Sequence, residues 1–306
     1  MRIGLCMIVK DEEATIEACL AGIVESVDEV VVVDTGSTDR TLEVLRERFG
    51  IEPLRFELQE RECFAKYQAR NLAFERSRTP WILSLDADER IGRDEIEGLR
   101  ALPDAPGVAG YFFRWDTHGT GHTIEDYKLA LFRKGLASVG LVHENVQPSL
   151  RKERLSAQWC DRMVIQHYPE PAKVAAKRRF YLQRMQCALR HDPYCPRYHW
   201  FLGYTLYREG RLNEAIGHLR AAAASRSTRF PVECLNSMVV TADILARRGS
   251  LGAVVETLDE AVLFHRTVQD DFEVKINFRL EPWLSQALAD ARAQKPEGIR
   301  AYEFAC

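Results

Sequence analysis

The stretch Trp81-Ile82-Leu83-Ser84-Leu85-Asp86-Ala87-Asp88-Glu89 places a short apolar run directly before two aspartates. A run of this length that ends in polar residues is typical of a strand buried on both faces of a parallel sheet. Ile3–Val9 and residues 30–33 are apolar runs of the same kind, and apolar residues recur at helical spacing after each of them. We therefore predict an α/β domain of Rossmann-like type, with a mostly parallel sheet and helices on both faces.

Residues 108–165 follow a different pattern, in which short strand-like pieces alternate with loops that contain glycine and histidine. These pieces, at residues 111–115, 127–132 and 163–165, show no helical period. We therefore predict that they extend the same sheet with antiparallel or mixed pairing.

After Pro169-Glu170-Pro171 the chain changes character, because residues 172–293 repeat apolar residues almost entirely at helical spacing. One stretch matches a tetratricopeptide helix–turn–helix repeat of about 34 residues. Gly203 and Ala215 are small where its two helices would cross, and Gly210 suits the turn between them. We predict two domains, residues 1–170 with the sheet and residues 171–306 with tetratricopeptide-like helices. A generic helical bundle is the alternative for the second.

Composition limits the functions that this chain can serve. Its 306 residues are 46% hydrophobic and 28% charged, which is enough for a folded core. The formal net charge of -3 argues against a protein that wraps nucleic acid, so no nucleic-acid partner is expected. The 8 cysteines form no Cys-x-x-Cys pair, and no apolar run approaches the roughly 20 residues that span a bilayer. We expect a cytoplasmic protein, with any membrane contact peripheral to the inner membrane face.

Asp86 and Asp88 lie two residues apart just past a predicted strand, so an extended backbone would direct both carboxylates to one side. Open parallel sheets bind their ligands at these carboxyl ends of the strands. Two hard oxygen ligands together with diphosphate oxygens suit Mg²⁺ or Mn²⁺, which neutralises charge on a departing diphosphate. The alternative is a chance pair of aspartates in a polar loop.

A further carboxylate, Asp34, follows residues 30–33 and opens the turn Asp34-Thr35-Gly36-Ser37-Thr38-Asp39. It can accept a hydrogen bond from a ribose hydroxyl or from the N–H of a pyrimidine. The alternative is that Asp34 and Asp39 only cap the following helix. A Gly-x-Gly-x-x-Gly fingerprint follows neither strand, so a nicotinamide cofactor is not indicated.

Seven segments form a specific pattern in chain order: Cys6-Met7-Ile8-Val9-Lys10-Asp11-Glu12-Glu13, Val31-Val32-Val33-Asp34-Thr35-Gly36-Ser37-Thr38-Asp39, Ala69-Arg70-Asn71, Trp81-Ile82-Leu83-Ser84-Leu85-Asp86-Ala87-Asp88-Glu89, Leu131-Phe132-Arg133, Val142-His143-Glu144 and His167-Tyr168. The first four resemble family 2 glycosyltransferases of the GT-A fold. The last three resemble a branch that includes lipopolysaccharide-core sugar transferases and bacteriocin-modifying S-glycosyltransferases of the sublancin type. The resemblance fades beyond about residue 225.

The resemblance implies an inverting transfer of a sugar from a nucleotide-diphosphate sugar, UDP-sugar first among them, with a divalent cation as cofactor. Asp34 would contact the donor nucleoside, Arg70 would approach the base or phosphates, and Asp86 would approach the ribose and metal. Asp88 would ligate the metal, and His167 is a candidate for a further ligand. The other donor-binding candidates are Val9, Asp11, Ser37 and Ala87.

Direct displacement requires a base on the face of the sugar opposite the leaving diphosphate. Glu144, in a His-Glu pair of the loop-rich region, is the first candidate. Asp126, in the segment Ile124-Glu125-Asp126-Tyr127, is the second. The alternative for Glu144 is a structural salt bridge, for example to Arg133.

The acceptor is left open among a saccharide, a lipid-linked saccharide, a peptide and a protein. The helical domain is a candidate for selecting it, or for pairing two copies in a homodimer. A nucleotidyltransferase is disfavoured, because Lys10-Asp11-Glu12-Glu13 is acidic where such enzymes need a glycine-rich basic loop. The non-enzymatic alternative is a helical scaffold with a vestigial first domain.

Overall fold

The computed structural model describes residues 1–102, 105–119 and 121–304, excluding the side chains of residues 171–179. Contacts divide the chain into two compact units, Met1–Arg178 and Arg179–Phe304. The strands of the first unit are β1 (Ile3–Val9), β2 (Glu29–Asp34), β3 (Leu54–Arg55), β4 (Trp81–Ser84), β5 (Glu89–Arg90), β6 (Val108–Thr117), β7 (Ile124–Arg133) and β8 (Ser156–His167). They form one sheet in the order β3-β2-β1-β4-β7-β6-β8-β5.

Parallel pairing around β1 brings the predicted strand ends together. β1 pairs in parallel with β2 on one side and with β4 on the other, and all 7 of its residues are buried. The register sets Val9 beside Asp34 and Cys6 beside Ser84. The segments that follow Asp34 and Ser84 therefore emerge at the same edge of the sheet, which is where ligands bind in open α/β folds.

Helices cover both faces of this sheet, as predicted. One apolar cluster contains Leu5 of β1 together with Ile16 and Ile96 from two helices. On the opposite face, the thiol of Cys6 donates a hydrogen bond to the carbonyl oxygen of Ala73 at 3.4 Å. The helices of this unit are α1 (Ile16–Ala21), α2 (Thr41–Phe49), α3 (Tyr67–Arg76), α4 (Arg93–Arg100) and α5 (Gln147–Lys152).

Some boundaries differ from the sequence predictions for local reasons. Apolar spacing predicts a helix over residues 64–76, but α3 begins at Tyr67, because Cys63 and Phe64 have left-handed backbones with φ of 57° and 52°. Residues 54–58 are a further candidate strand by sequence, and only two of them pair with the sheet, as β3. α5 lies in the region where no helix was predicted, since its 6 residues are too few to establish a helical period.

Residues beyond 108 extend the sheet with mixed pairing, which confirms the prediction. β7 is antiparallel to both β4 and β6, whereas β8 runs parallel to β6. β8 has 12 residues, although only residues 163–165 were predicted as strand. A register shift beside Phe113 and Arg114 interrupts the alternation of buried and exposed residues along β8. Because of this interruption, a period-two pattern reveals only the end of the strand.

A helical region follows the sheet, and the two units divide within its first helix. Gly210 and Gly249, with left-handed φ of 74° and 70°, each end the first helix of a helix–turn–helix pair. The predicted helical organisation is thus confirmed, while its tetratricopeptide class stays a prediction. No described helix is both long and apolar enough to cross a membrane. The helices are α6 (Pro171–His191), α7 (Pro196–Arg208), α8 (Leu212–Ala224), α9 (Pro231–Arg247), α10 (Leu251–Val268), α11 (Phe272–Ile276) and α12 (Leu280–Arg292), with 3₁₀ turns at Val24–Ser26, Glu60–Glu62 and Pro296–Gly298.

Gly203 lets α7 and α8 approach closely, as its small size predicted. A Cβ at this position would lie 2.8 Å from Cγ of Leu219 and 3.1 Å from the backbone nitrogen of Leu219. We expect Gly203→Ala to lower the free energy of unfolding by about 1–3 kcal/mol, because α8 would have to move. Denaturant titration of the full chain measures this change.

Gly217 provides the matched control for this substitution. It lies on α8, and a Cβ there would meet nothing within 4 Å. Gly217→Ala should therefore raise stability by about 0.5–1 kcal/mol, because alanine restricts the unfolded chain and favours helix. Equal unfolding midpoints for the two variants would contradict the close crossing of α7 and α8.

Candidate active site

Asp86 and Asp88 lie in a tight turn between β4 and β5, which we call the aspartate turn (residues 86–89). The backbone N–H of Glu89 donates a hydrogen bond to the carbonyl oxygen of Asp86 at 3.0 Å. In the opposite direction, the N–H of Asp86 donates to Oε2 of Glu89 at 2.9 Å. Ala87, at the tip, is buried. The two hydrogen bonds join the first and last residues of the turn, so Asp86 and Asp88 lie in a closed turn, and their role as a site stays a prediction.

Arg70 on α3 joins the aspartate turn to a carboxylate far along the chain. Its Nη2 donates to Oδ1 of Asp86 at 2.8 Å, and its Nε donates to Oε1 of Glu144 at 2.9 Å. The side chains of Arg70 and Glu144 are only 15% and 7% exposed, so these charge-assisted hydrogen bonds are shielded from water. Glu144 therefore forms a salt bridge with Arg70 rather than with Arg133, and its role as a base or as a structural ion pair stays a prediction.

Lys128 on β7 is a charged member of this cluster that the sequence analysis missed. Its Nζ donates to Oε1 and Oε2 of Glu89 at 2.7 and 2.6 Å. The same Nζ donates to Oδ2 of Asp86 at 3.1 Å. Each oxygen of Asp86 therefore accepts from a different cation, Arg70 or Lys128. The signal that could have revealed Lys128 is its position inside a largely apolar strand, where a lysine needs a partner.

The pKa values of this cluster follow from burial and from the two cations. Partial loss of solvent would favour the neutral carboxyl of Asp86, whose side chain is 37% exposed, but Arg70 and Lys128 together hold its pKa well below the ordinary value. Burial likewise opposes the charge of Glu144, and Arg70 still lowers the pKa of that carboxyl. At Glu89 burial is the larger effect, and its pKa is raised despite Lys128. Asp86 and Glu144 are therefore ionised at neutral pH.

Asp88 and His167, the two predicted metal ligands, lie next to each other. Oδ2 of Asp88 is 3.5 Å from Nε2 of His167, and the side chains are 29% and 17% exposed. The opposite nitrogen, Nδ1, lies 3.0 Å from the hydroxyl of Thr117. Trp115 stacks on the imidazole with ring centroids 4.7 Å apart. Thr117 and Trp115 of β6 thus hold the ring in an orientation that directs Nε2 towards Asp88.

Predicted donor-binding residues meet at the ends of β1 and β2. The buried carboxylate of Asp34 accepts hydrogen bonds from the N–H groups of Gly36 and Ser37 at 3.2 and 3.0 Å. The N–H of Asp11 donates to the hydroxyl oxygen of Ser37 at 3.0 Å. This ties the segment after β1 to the segment after β2. The capping alternative holds for Asp39, which accepts from the first N–H of α2, and not for Asp34.

Glu144 lies on a loop that is fastened to α3. The side-chain amide of Asn71 donates to the carbonyl oxygen of Ser138 at 3.0 Å, and the N–H of Ser138 donates back to Oδ1 of Asn71 at 2.7 Å. An isolated antiparallel β-bridge between Val139 and Asn145 joins the two ends of the loop segment that contains Glu144. The loop therefore presents Glu144 to Arg70 in a fixed position.

Asp126, the second candidate base, lies on β7 opposite Trp115 of β6. It is two residues from Lys128, so the two side chains project from the same face of the strand. Its Oδ1 accepts the N–H of Tyr127 at 2.9 Å. Asp126 thus lies on the strand face that carries Lys128, and the roles of both candidate bases stay predictions.

Residues 5–141 match the sequence profile described as Glycosyl transferase family 2. This chain carries a family 2 glycosyltransferase domain. The matched residues include the aspartate turn, Arg70 and Lys128, whereas Glu144 and His167 lie outside them. The sheet confirms the predicted α/β class, and the match assigns the glycosyltransferase class to the domain of residues 5–141.

Relatives of the family 2 domain agree with the branch that the sequence resembles. The glycosyltransferase SunS of Bacillus subtilis is 24% identical over 221 residues, which are 70% of this chain and 51% of SunS. The lipopolysaccharide core biosynthesis glycosyltransferase LpsC of Rhizobium meliloti is 30% identical over 45% of this chain and 54% of LpsC. A TPR repeat-containing protein of Synechococcus elongatus is 39% identical over 36% of this chain and 26% of that protein. The chain thus spans about half the length, or less, of these relatives.

Proposed function

We propose that this chain transfers a sugar from a nucleotide-diphosphate sugar to an acceptor nucleophile, with a UDP-sugar as the first donor class to test. The observation that supports this best is the meeting of Asp86, Asp88, Arg70 and Glu144 at one edge of a family 2 domain. Asp34, close to the ends of the same strands, is the proposed contact for the nucleoside. Val9, Asp11, Ser37 and Ala87 would shape the rest of the donor site.

The cofactor proposed for this reaction is a divalent cation held by Asp88 and His167. These side chains offer one carboxylate oxygen and one imidazole nitrogen, and both are open enough for diphosphate oxygens to complete the coordination shell. The hydroxyl oxygen of Thr117 would accept a hydrogen bond from Nδ1–H and so leave the lone pair of Nε2 for the cation. The imidazole favours Mn²⁺ over Mg²⁺, which prefers oxygen ligands. When bound, the cation stabilises negative charge on the leaving diphosphate.

The proposed chemistry is a single displacement with inversion. The acceptor oxygen or sulfur bonds to C1 of the sugar while the bond from C1 to the diphosphate oxygen breaks. The acceptor proton passes to a carboxylate, for which Glu144 is the first choice and Asp126 the second. The lowered pKa of Glu144 keeps it in the proton-accepting form at neutral pH. A thiol acceptor, with a pKa of about 8.5, would depend less on this base.

The helical region is proposed to select the acceptor, or to pair two copies of the chain as a homodimer. Helix–turn–helix pairs stack into extended surfaces that hold partners of this kind. The acceptor classes proposed are a saccharide, a lipid-linked saccharide and a peptide, at a cytoplasmic site that is at most peripheral to the membrane.

A screen of nucleotide sugars for metal-dependent release of nucleoside diphosphate tests the proposed function. Purified full-length chain should hydrolyse its true donor slowly in Mn²⁺ even without an acceptor. Added acceptor should accelerate the release. If no nucleotide sugar is bound or cleaved with Mn²⁺ or Mg²⁺, the site is vestigial and the chain is a helical binding protein.

A further inference from the structure

Lys128 makes contacts that neither the family resemblance nor the sequence pattern assigns. An ammonium group has three N–H donors, and all three are used here, on both oxygens of Glu89 and on Oδ2 of Asp86. Glu89 and Asp86 are the first and last residues of the aspartate turn. Lys128 therefore bridges the side chains at the two ends of the turn, in addition to the two direct hydrogen bonds between Asp86 and Glu89.

Stability alone does not account for this arrangement. Glu89 is fully buried and the Lys128 side chain is only 22% exposed. Removing two such charges from water costs about as much as their attraction returns, and apolar residues of similar size are often as stable. The aspartate turn, however, has to keep Asp88 beside His167, and Glu89 pairs directly with His167 between β5 and β8.

We propose that Lys128 is a positioning residue of the donor site: it holds the aspartate turn in its binding geometry before metal and diphosphate arrive. It acts through Asp86, which accepts one hydrogen bond from Lys128 and another from Arg70. It also acts through Glu89, whose backbone pairs with that of His167 and so positions the adjacent Asp88 beside the imidazole. This inference rests on the proposed function, because it concerns the same donor site.

Three variants separate positioning from simple charge neutralisation. Lys128→Met leaves Glu89 buried without its cation, so the melting temperature should fall. The double variant Lys128→Met with Glu89→Gln removes both charges, keeps an acceptor for the N–H of Asp86, and should recover most of the lost melting temperature. Lys134→Met is the matched control, because Lys134 follows the other end of β7 and donates to the carbonyl oxygen of Ser77.

The deciding measurements are the Kd for Mn²⁺, from electron paramagnetic resonance of the free ion, and the Kd for UDP with Mn²⁺, from calorimetry. Loss of a residue that orients metal ligands typically weakens metal binding about 10–100-fold. We expect a loss of that size in Lys128→Met and in the double variant, with none in Lys134→Met.

The proposal would be overturned if the double variant regained its stability and also bound Mn²⁺ and UDP with wild-type Kd values. Lys128 would then only neutralise the charge of Glu89. If the double variant stays unstable, the same Kd values are measured for Lys128→Arg and compared with the wild type. This variant keeps the positive charge but changes the distance over which the side chain reaches Asp86. Failure of the wild type itself to bind Mn²⁺ and every nucleoside diphosphate would instead refute the proposed function.

Discussion

Asp88→Ala is expected to reduce sugar transfer to background while the fold stays intact. As a ligand of the proposed cation, Asp88 would stabilise charge on the leaving diphosphate, an effect worth several kcal/mol and thus at least about 10³-fold in rate. Its side chain is 29% exposed, and its Oδ2 lies 3.5 Å from Nε2 of His167. Removing it leaves no buried charge without a partner, so the melting temperature should barely change.

Asp161→Ala is the control for this prediction, because Asp161 is an exposed aspartate on β8 of the same sheet. It should transfer sugar at the wild-type rate. Wild-type activity should also vanish in chelator and return with added Mn²⁺ or Mg²⁺. Full activity in chelator, or in Asp88→Ala, would rule out the metal-dependent mechanism.

Glu144→Gln is expected to lower the rate of transfer by about 10²–10⁴-fold, the usual contribution of a general base. Glutamine keeps an oxygen that can accept the hydrogen bond from Nε of Arg70, so donor affinity should change little. Steady-state kinetics with the identified acceptor, together with calorimetry of UDP binding, measures both quantities.

Asp126→Asn distinguishes the two candidate bases and should retain most of the activity. The pH profile gives an independent test. Arg70 lowers the pKa of Glu144, so Glu144 stays ionised as the pH falls through the ordinary glutamate range, and kcat/KM should drop only below the ordinary value of 4.5. Near-normal transfer by Glu144→Gln, with a strong loss in Asp126→Asn, would move the role to Asp126.

The strand ends of this domain could be predicted because each has a local signature. Buried parallel strands are short apolar runs, and Asp34, Asp86 and Asp88 follow such runs directly. Their convergence then follows from the parallel pairing alone. The same reasoning gave the helix crossing at Gly203, since two packed helices require a small residue there.

The partners of these carboxylates could not be predicted, because they come from distant parts of the chain. Lys128 is 39 residues from Glu89, and Glu144 is 74 residues from Arg70. A strand pattern shows which face a side chain occupies but not which residue it will meet across the sheet. Arg133 was therefore the suggested partner for Glu144, whereas the structure pairs Glu144 with Arg70 on α3.

Two neighbouring residues of α3, Arg70 and Asn71, form hydrogen bonds with two separate parts of the candidate site. Arg70 holds Asp86, and Asn71 holds the loop of Glu144 through its two hydrogen bonds to Ser138. A tilt or slide of this helix would carry Asp86 and the loop of Glu144 along together, so their alignment would tolerate thermal motion. The loop therefore cannot be exchanged independently of α3. A loop taken from a relative will keep its position only if it offers Asn71 a backbone N–H and carbonyl oxygen like those of Ser138.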